Sequence, residues 1–194
     1  MIDTSKKFLV AGAGKSGIGS VNLLLKTGAD VSLYDGNEEL DKEALFEKLY
    51  EKKEISLVLG NITKEDIEKY DLLVLSPGIS VNAPIAQMFY DQEKPVWSEI
   101  ELAYQASKGK IAAITGTNGK TTTTALTGEI MKGYYESSFV VGNIGIPYTS
   151  VALDTQENSV ITAEISSFQL ETIVDFKPDV CAVLNITPDH LDRH

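Results

Sequence analysis

Cysteine is almost missing. Cys181 stands alone among 194 residues, which excludes a disulfide framework and any multi-cysteine zinc site. Positive charge is scarce as well: 17 Lys+Arg face 28 Asp+Glu, a formal net charge of −11. With no basic block, the chain is a poor candidate for binding nucleic acid. Long apolar runs are also lacking, since Leu72–Leu75 and Ile111–Ile114 fall far short of the ~20 residues of a membrane span. Residues Met1–Val10 carry neither the cationic start nor the apolar core of a signal peptide. The expectation is a cytoplasmic protein with no membrane partner. A hydrophobic share of 43% and a charged share of 23% then fit a globular, enzyme-like chain. At ~150 residues per domain, 194 residues make one large domain or two small ones.

The acidity is uneven. Between Glu38 and Asp71 there are 11 acids and 6 lysines. Apolar residues recur among them at helical spacing (Leu45, Leu49; Ile67), so this stretch reads as solvated helix faces. Any anionic ligand must be held by local donors, because the global field opposes it.

Strands and helices alternate along the chain. Phe8–Ala11, Val31–Tyr34, Ile55–Leu59 and Leu72–Leu75 read as buried strands. Ser20–Lys26, Pro84–Phe89 and Glu99–Ala106 read as helices between and after them. A second cycle opens with a strand over Ile111–Thr115, a glycine-rich turn and a helix through Thr124–Met131. Phe139–Val141, Val160–Ala163 and Val180–Leu184 are its further strands, and Cys181 inside the last one reads as core. Continuous apolar strands alternating with helices predict parallel sheets covered on both faces. The fold class is α/β, with two domains joined near Trp97-Ser98.

Three places carry chemistry. Gly12-Ala13-Gly14-Lys15-Ser16-Gly17 fits G-x-G-x-x-G between a strand and a helix, and Asp35 ends the next strand. Such glycines let a diphosphate sit on a helix N-terminus while the acid accepts from a hydroxyl. On pattern alone NAD or FAD is the default ligand; a glycine turn that binds nothing is the alternative. Thr115-Gly116-Thr117-Asn118-Gly119-Lys120-Thr121-Thr122 resembles a P-loop shortened to G-x-x-G-K-T, with Ile114 where the first glycine would stand. Its N–H groups would wrap phosphates, Lys120 would reach the β/γ oxygens, and the Thr121 hydroxyl would bind Mg²⁺. Third, Glu164 ends a strand where it could hold Mg²⁺ directly or through water. Thr187 and Pro188 read as an N-cap and first helical residue, placing His190 in a first turn at a carboxyl sheet edge. Taken alone, a histidine so placed is more often a capped, solvent-touching residue than a ligand.

These residues add up to a family. Gly116–Thr122 (GTNGKTT), Ser76-Pro77-Gly78-Ile79, Ile100-Glu101-Leu102, Gly142-Asn143-Ile144-Gly145, the SSFQLE stretch after Ile165 and Asn185–His194 together resemble the Mur ligases. The resemblance covers the whole chain. GTNGKT alone would also admit folylpolyglutamate synthase. SPGI, GNIG and SSFQLE in this order favour the branch that adds D-glutamate.

The resemblance implies a Rossmann-like parallel-sheet domain over residues 1–98, followed by a truncated P-loop-type α/β ATP-binding domain over 99–194. It implies that ATP phosphorylates the carboxylate of UDP-N-acetylmuramoyl-L-alanine and that D-glutamate's amine attacks the acyl phosphate, in peptidoglycan synthesis. Gly116, Thr117, Asn118, Gly119, Lys120, Thr121 and Thr122 would hold ATP. Thr121, Glu164 and His190 would hold Mg²⁺, with Lys120, Glu164 and His190 as the catalytic set. The first loop would then hold UDP and not a nicotinamide: Gly14, Lys15 and Ser16 at the diphosphate, Asp35 with Ser76, Pro77 and Gly78 at the uridine side. Asn143 and His190 would contact the rest of that substrate. Family members continue with a carbamylated lysine and a C-terminal amino-acid-binding domain that these residues lack, so the chain is expected to stop early and to form no product alone. At full length a monomer is expected. The competing readings are an NAD(P)-dependent oxidoreductase and a non-catalytic nucleotide-binding module.

Overall fold

The computed structural model describes residues 2–143, 145–189 and 191. The first half opens with Lys7–Ala11 (β1) and Lys15–Thr27 (α1). It continues through Asp30–Asp35 (β2), Lys42–Phe46 (α2), Ser56–Leu59 (β3), Lys64–Ile67 (α3), Leu72–Leu75 (β4), Pro84–Asp91 (α4) and Val96–Ser98 (β5). All five strands pair in parallel, in the order β3-β2-β1-β4-β5. The winding direction reverses between β1 and β4. In open α/β sheets ligands bind in the crevice outside the carboxyl ends of such a strand pair.

Alternate residues of the first sheet feed opposite faces, as the pleat requires. Val10, Leu33 and Val74 pack with Val21 and Leu24 of α1, while Leu9, Leu73 and Leu75 pack with Ile85, Ala86 and Phe89 of α4. The acidic stretch behaves as the spacing predicts. Helices α2 and α3 bury only Leu45 and Ile67 respectively.

Glu99–Ala106 (α5) leads out of the first sheet, starting from Ser98, whose side chain accepts from the Glu101 N–H. Lys110–Thr115 (β6), Lys120–Lys132 (α6), Ser138–Gly142 (β7), Val160–Glu164 (β8), Ser167–Leu170 (α7) and Val180–Val183 (β9) follow. Their strands are again all parallel, in the order β7-β8-β6-β9. Ile100 and Leu102 of α5 and the buried Tyr148 join one continuous apolar cluster that runs from Val10 to Ile161 and Ala163. The two sheets therefore share a core across α5. Among the described residues, no helix is long and apolar enough to cross a membrane.

Two expectations fail. Cys181 is exposed, because β9 is an edge strand whose side chains are mostly uncovered. No helix begins at Thr187-Pro188: residues 184–189 have no regular structure. The Thr187 backbone is engaged elsewhere, its N–H donating to Thr117 Oγ1 at 3.0 Å and its carbonyl accepting from the same hydroxyl at 3.1 Å.

Candidate functional site

Both glycine loops lie at carboxyl sheet edges, and both open a helix that lacks a side-chain cap. Gly14 precedes α1 and Gly119 precedes α6, neither able to satisfy the first-turn N–H groups as Ser98 does for α5. Such a helix start is a ready anion site.

In the first loop, Gly17 packs so closely that a Cβ there would lie 1.8 Å from the Gly12 carbonyl oxygen, while nothing lies within 4 Å of one on Gly14. The outer glycine thus closes the turn and the middle one leaves room above it, as close approach of a diphosphate requires. Gly17→Ala should cost ~3 kcal/mol or more of stability, because a backbone oxygen cannot rotate away as a side chain can. An unchanged thermal midpoint for Gly17→Ala would contradict this packing.

The residues grouped around this loop by sequence do come together. Asp35 Oδ2 accepts from the Ala13 N–H at 2.7 Å, and its Oδ1 accepts from the Asn37 N–H at 2.9 Å. Ser76 ends β4 beneath the loop, its Oγ buried without a partner. Lys15 and Gly78 are exposed beside it, and Ser16 and Pro77 are half-buried.

The second loop is braced by a residue to which the sequence reading gave no role. Asn185 accepts from the Thr117 N–H through its carbonyl (3.1 Å) and from the Asn118 N–H through Oδ1 (2.9 Å), and its Nδ2 donates to Asn118 O (2.9 Å). Its place just past β9, beside β6, was the available signal. Gly119 stands at φ +83°, a left-handed turn into α6 that favours glycine. Lys120 Nζ folds across the loop, donating to Gly116 O at 2.6 Å and Thr117 O at 3.0 Å. Thr121 and Thr122 are exposed on the first turn of α6.

Glu164 sits at the end of β8, opposite Ile114 of β6, and is only 1% exposed. Its Oε1 accepts from Asn143 Nδ2 at 2.8 Å, and its Oε2 has no partner among the described residues. A buried carboxylate oxygen without a donor is costly unless a cation or water meets it. The carboxylate therefore fits a Mg²⁺ role. Asn143 also donates its own N–H to the Glu164 carbonyl at 2.9 Å, so it braces this residue. Among the described residues no three His, Cys, Asp or Glu side chains cluster as a metal site. His190 lies outside the described residues.

The two edges meet in a narrow cleft. Ser76 and Pro77 from the first sheet face Gln169 and Thr172 from the second, with Ser98 and Glu99 between them. Glu99 is 2% exposed, and burial pushes its carboxyl up to about 7 against the opposing hydrogen bonds of Gln169 and its own backbone. Glu99 was not singled out in the sequence, and Gln169 entered only as part of the SSFQLE stretch. A more open hollow lies at the opposite end of the second sheet, lined by Lys110, Tyr134, Tyr135 and Glu157, away from either glycine loop.

Two parallel sheets with glycine-capped helix starts, one of them carrying Lys-Thr, describe an α/β protein with two candidate anion-binding loops. Family comparison agrees. Residues 6–98 match the Mur ligase MurD-like N-terminal domain, and residues 114–194 match the Mur ligase middle domain. The chain belongs to the Mur ligase family. It is 56% identical over 189 residues to the UDP-N-acetylmuramoylalanine--D-glutamate ligase of Lachnoclostridium phytofermentans, covering 97% of this chain and 42% of that one. It is also 56% identical over 190 residues to the enzyme of the same name from Lachnospira eligens, covering 98% and 42%. The chain thus spans well under half the length of these curated relatives. In fold it is similar to the UDP-N-acetylmuramate-alanine ligase MurC from Thermotoga maritima, with TM-score 0.55, 22% identity, and coverage of 97% of this chain and 43% of that one.

Proposed function

We propose that this chain is the substrate- and ATP-binding part of a ligase that adds D-glutamate to UDP-N-acetylmuramoyl-L-alanine in peptidoglycan synthesis. Residues 1–98 form the UDP-substrate domain in this reading, and 99–194 belong to the ATP-binding domain. The full-length enzyme works in the cytoplasm as a monomer, using ATP and Mg²⁺. The observation that carries the reading is the buried, unpartnered Oε2 of Glu164 near the glycine-capped start of α6 and its Lys120.

A carboxylate is a poor electrophile, and here it must meet an anionic phosphoryl group. The protein's task is charge neutralisation and positioning, with no protein nucleophile. Lys120 brings a fixed cation to the transferring phosphate. Thr121, Glu164 and His190 would hold Mg²⁺, which would supply further neutralisation when bound. Gly116, Thr117, Asn118, Gly119 and Thr122 shape the loop around ATP. Gly14, Lys15 and Ser16 receive the diphosphate of the UDP substrate, and Asp35, Ser76, Pro77 and Gly78 frame its uridine. Asn143, braced on Glu164, reaches the sugar-peptide part.

Separate titrations of UDP, ATP and NADH test this reading of the 194 residues. UDP and ATP should bind; tight NADH binding with no response to UDP would favour an oxidoreductase instead. Asp35→Ala should weaken UDP binding roughly 10- to 100-fold, the range for a lost hydrogen bond to a charged group. ATP binding should stay unchanged, since the Asp35 carboxylate bonds to the Ala13 and Asn37 N–H groups, away from the second loop. Catalysis is tested in a chain extended to its relatives' length, by D-glutamate-dependent phosphate release from UDP-N-acetylmuramoyl-L-alanine.

A further inference from the structure

Ile100-Glu101-Leu102 and the SSFQLE stretch have no task in the mechanism so far, yet the structure joins them. Ser98 N–H donates to Thr172 O at 3.2 Å. Fully buried Glu101 accepts through Oε2 from the N–H groups of Val174, Asp175 and Phe176 at 2.8, 3.0 and 2.9 Å. Tyr104 meets Phe176 edge-on, with centroids 5.6 Å apart. These contacts already rivet the segment after α7 to α5. Glu99 adds a different link: its Oε1 accepts from Gln169 Nε2 at 2.6 Å.

A carboxamide has one donor end and one acceptor end. With Nε2 committed to Glu99, Gln169 Oε1 must face Ser166, where it accepts from N–H at 2.7 Å and from Oγ at 3.0 Å. The Ser166 hydroxyl in turn accepts from the Gln169 N–H, completing a capping box two residues after Glu164. Between them, the Ile165 N–H donates to Ile114 O at the end of β6, just ahead of the phosphate loop. Packing alone does not explain a carboxyl at position 99, because its burial is costly and its Oε2 has no partner.

We propose that Glu99 is a positioning residue for the phosphoryl site: through Gln169 it orients the Ser166 turn that carries Glu164, tying that carboxylate to the sheet edge beneath the UDP loop. The proposal rests on the ligase reading and deepens it.

Glu99→Met conserves volume and removes the acceptor, whereas Glu99→Gln keeps an oxygen for Gln169. In the extended enzyme, Glu99→Met should lower kcat by ~10-fold or more, the loss typical of groups that orient a metal ligand. The KM for ATP should stay within about twofold, and Glu99→Gln should restore kcat. In the 194-residue chain, hydrogen exchange at the Ser166 amide should quicken in Glu99→Met and not in Glu99→Gln. Gln169→Met breaks the same link from the other side and should give the same exchange pattern. Normal kcat in Glu99→Met, or unchanged Ser166 exchange in either methionine variant, overturns the proposal. Absence of D-glutamate-dependent phosphate release in the unmutated enzyme would sink the ligase reading instead, and the exchange measurement would still decide whether the link exists.

Discussion

Lys120→Ala, in a chain extended to its relatives' length, should slow D-glutamate-dependent phosphate release by at least ~10²-fold, comparable to losing one preorganised donor at a developing charge. The side chain is already stationed for the task. Its Nζ is held across the loop by Gly116 O and Thr117 O at 2.6 and 3.0 Å, and its backbone is the first residue of α6. Those two carbonyl contacts hold the ammonium at the loop, where phosphate oxygens would replace them when ATP binds. Alanine leaves the glycine turn and the Asn185 brace intact, since both rest on other atoms. Binding of UDP should therefore be unaffected and the fold unchanged by circular dichroism. A variant with near-normal kcat would remove Lys120 from the phosphoryl site.

Sequence pattern reached the strands well and the starts of the two functional helices poorly. Apolar periodicity placed helices at Ser20–Lys26 and through Thr124–Met131; the observed helices begin at Lys15 and Lys120. The missing residues, 15–19 and 120–123, hold one apolar side chain, Ile18, too little to mark a buried face. Those first turns hold the proposed phosphate contacts, so hydrophobic patterning is silent at the candidate site and the glycine spacing has to speak for it. The spacing does so: Gly12, Gly14 and Gly17 occupy the closing, open and packed positions that a phosphate turn needs.

Long-range polar contacts were beyond sequence reading for a different reason. Asn185 lies 67 positions from Asn118, and Gln169 lies 70 from Glu99, and nothing local at either end predicts the partner. Glu99 also looked like an ordinary acidic first-turn residue of α5, favourable to the helix dipole. Only the packing of residues 169–176 against α5 shows that it is buried. Cys181 erred in the opposite direction: an apolar tetrapeptide strand reads as core, but an edge position leaves it open.

Glu99 should make this chain less stable as pH rises. Its carboxyl is pushed from 4.5 to about 7 by burial, so the folded state holds a proton that the unfolded chain has released. With the folded value above the unfolded one, the stabilisation is complete below pH ~4.5 and is lost as pH climbs through about 7, flat beyond. The full difference is ~3 kcal/mol, from about 1.4 kcal/mol per unit. The sequence isoelectric point near 4.6 makes the low end prone to precipitation, so the useful window is roughly pH 5.5 to 8.5. About 2 kcal/mol of the change falls inside it. Among the described residues no lysine, arginine or histidine lines the cleft around Glu99; the other acid there is Glu171, which cannot favour a second negative charge. Carboxyls held below their ordinary value, such as Asp3 and Asp66, act in the opposite sense but lose their effect only at lower pH. Urea unfolding of the 194-residue chain and of Glu99→Gln across this window isolates the group: the glutamine variant should gain about 2 kcal/mol relative to the parent by pH 8.5. Parallel pH profiles for the two proteins would mean that Glu99 is hydrated and ionised in the folded state, and that the cleft between the sheets is wetter than its packing implies.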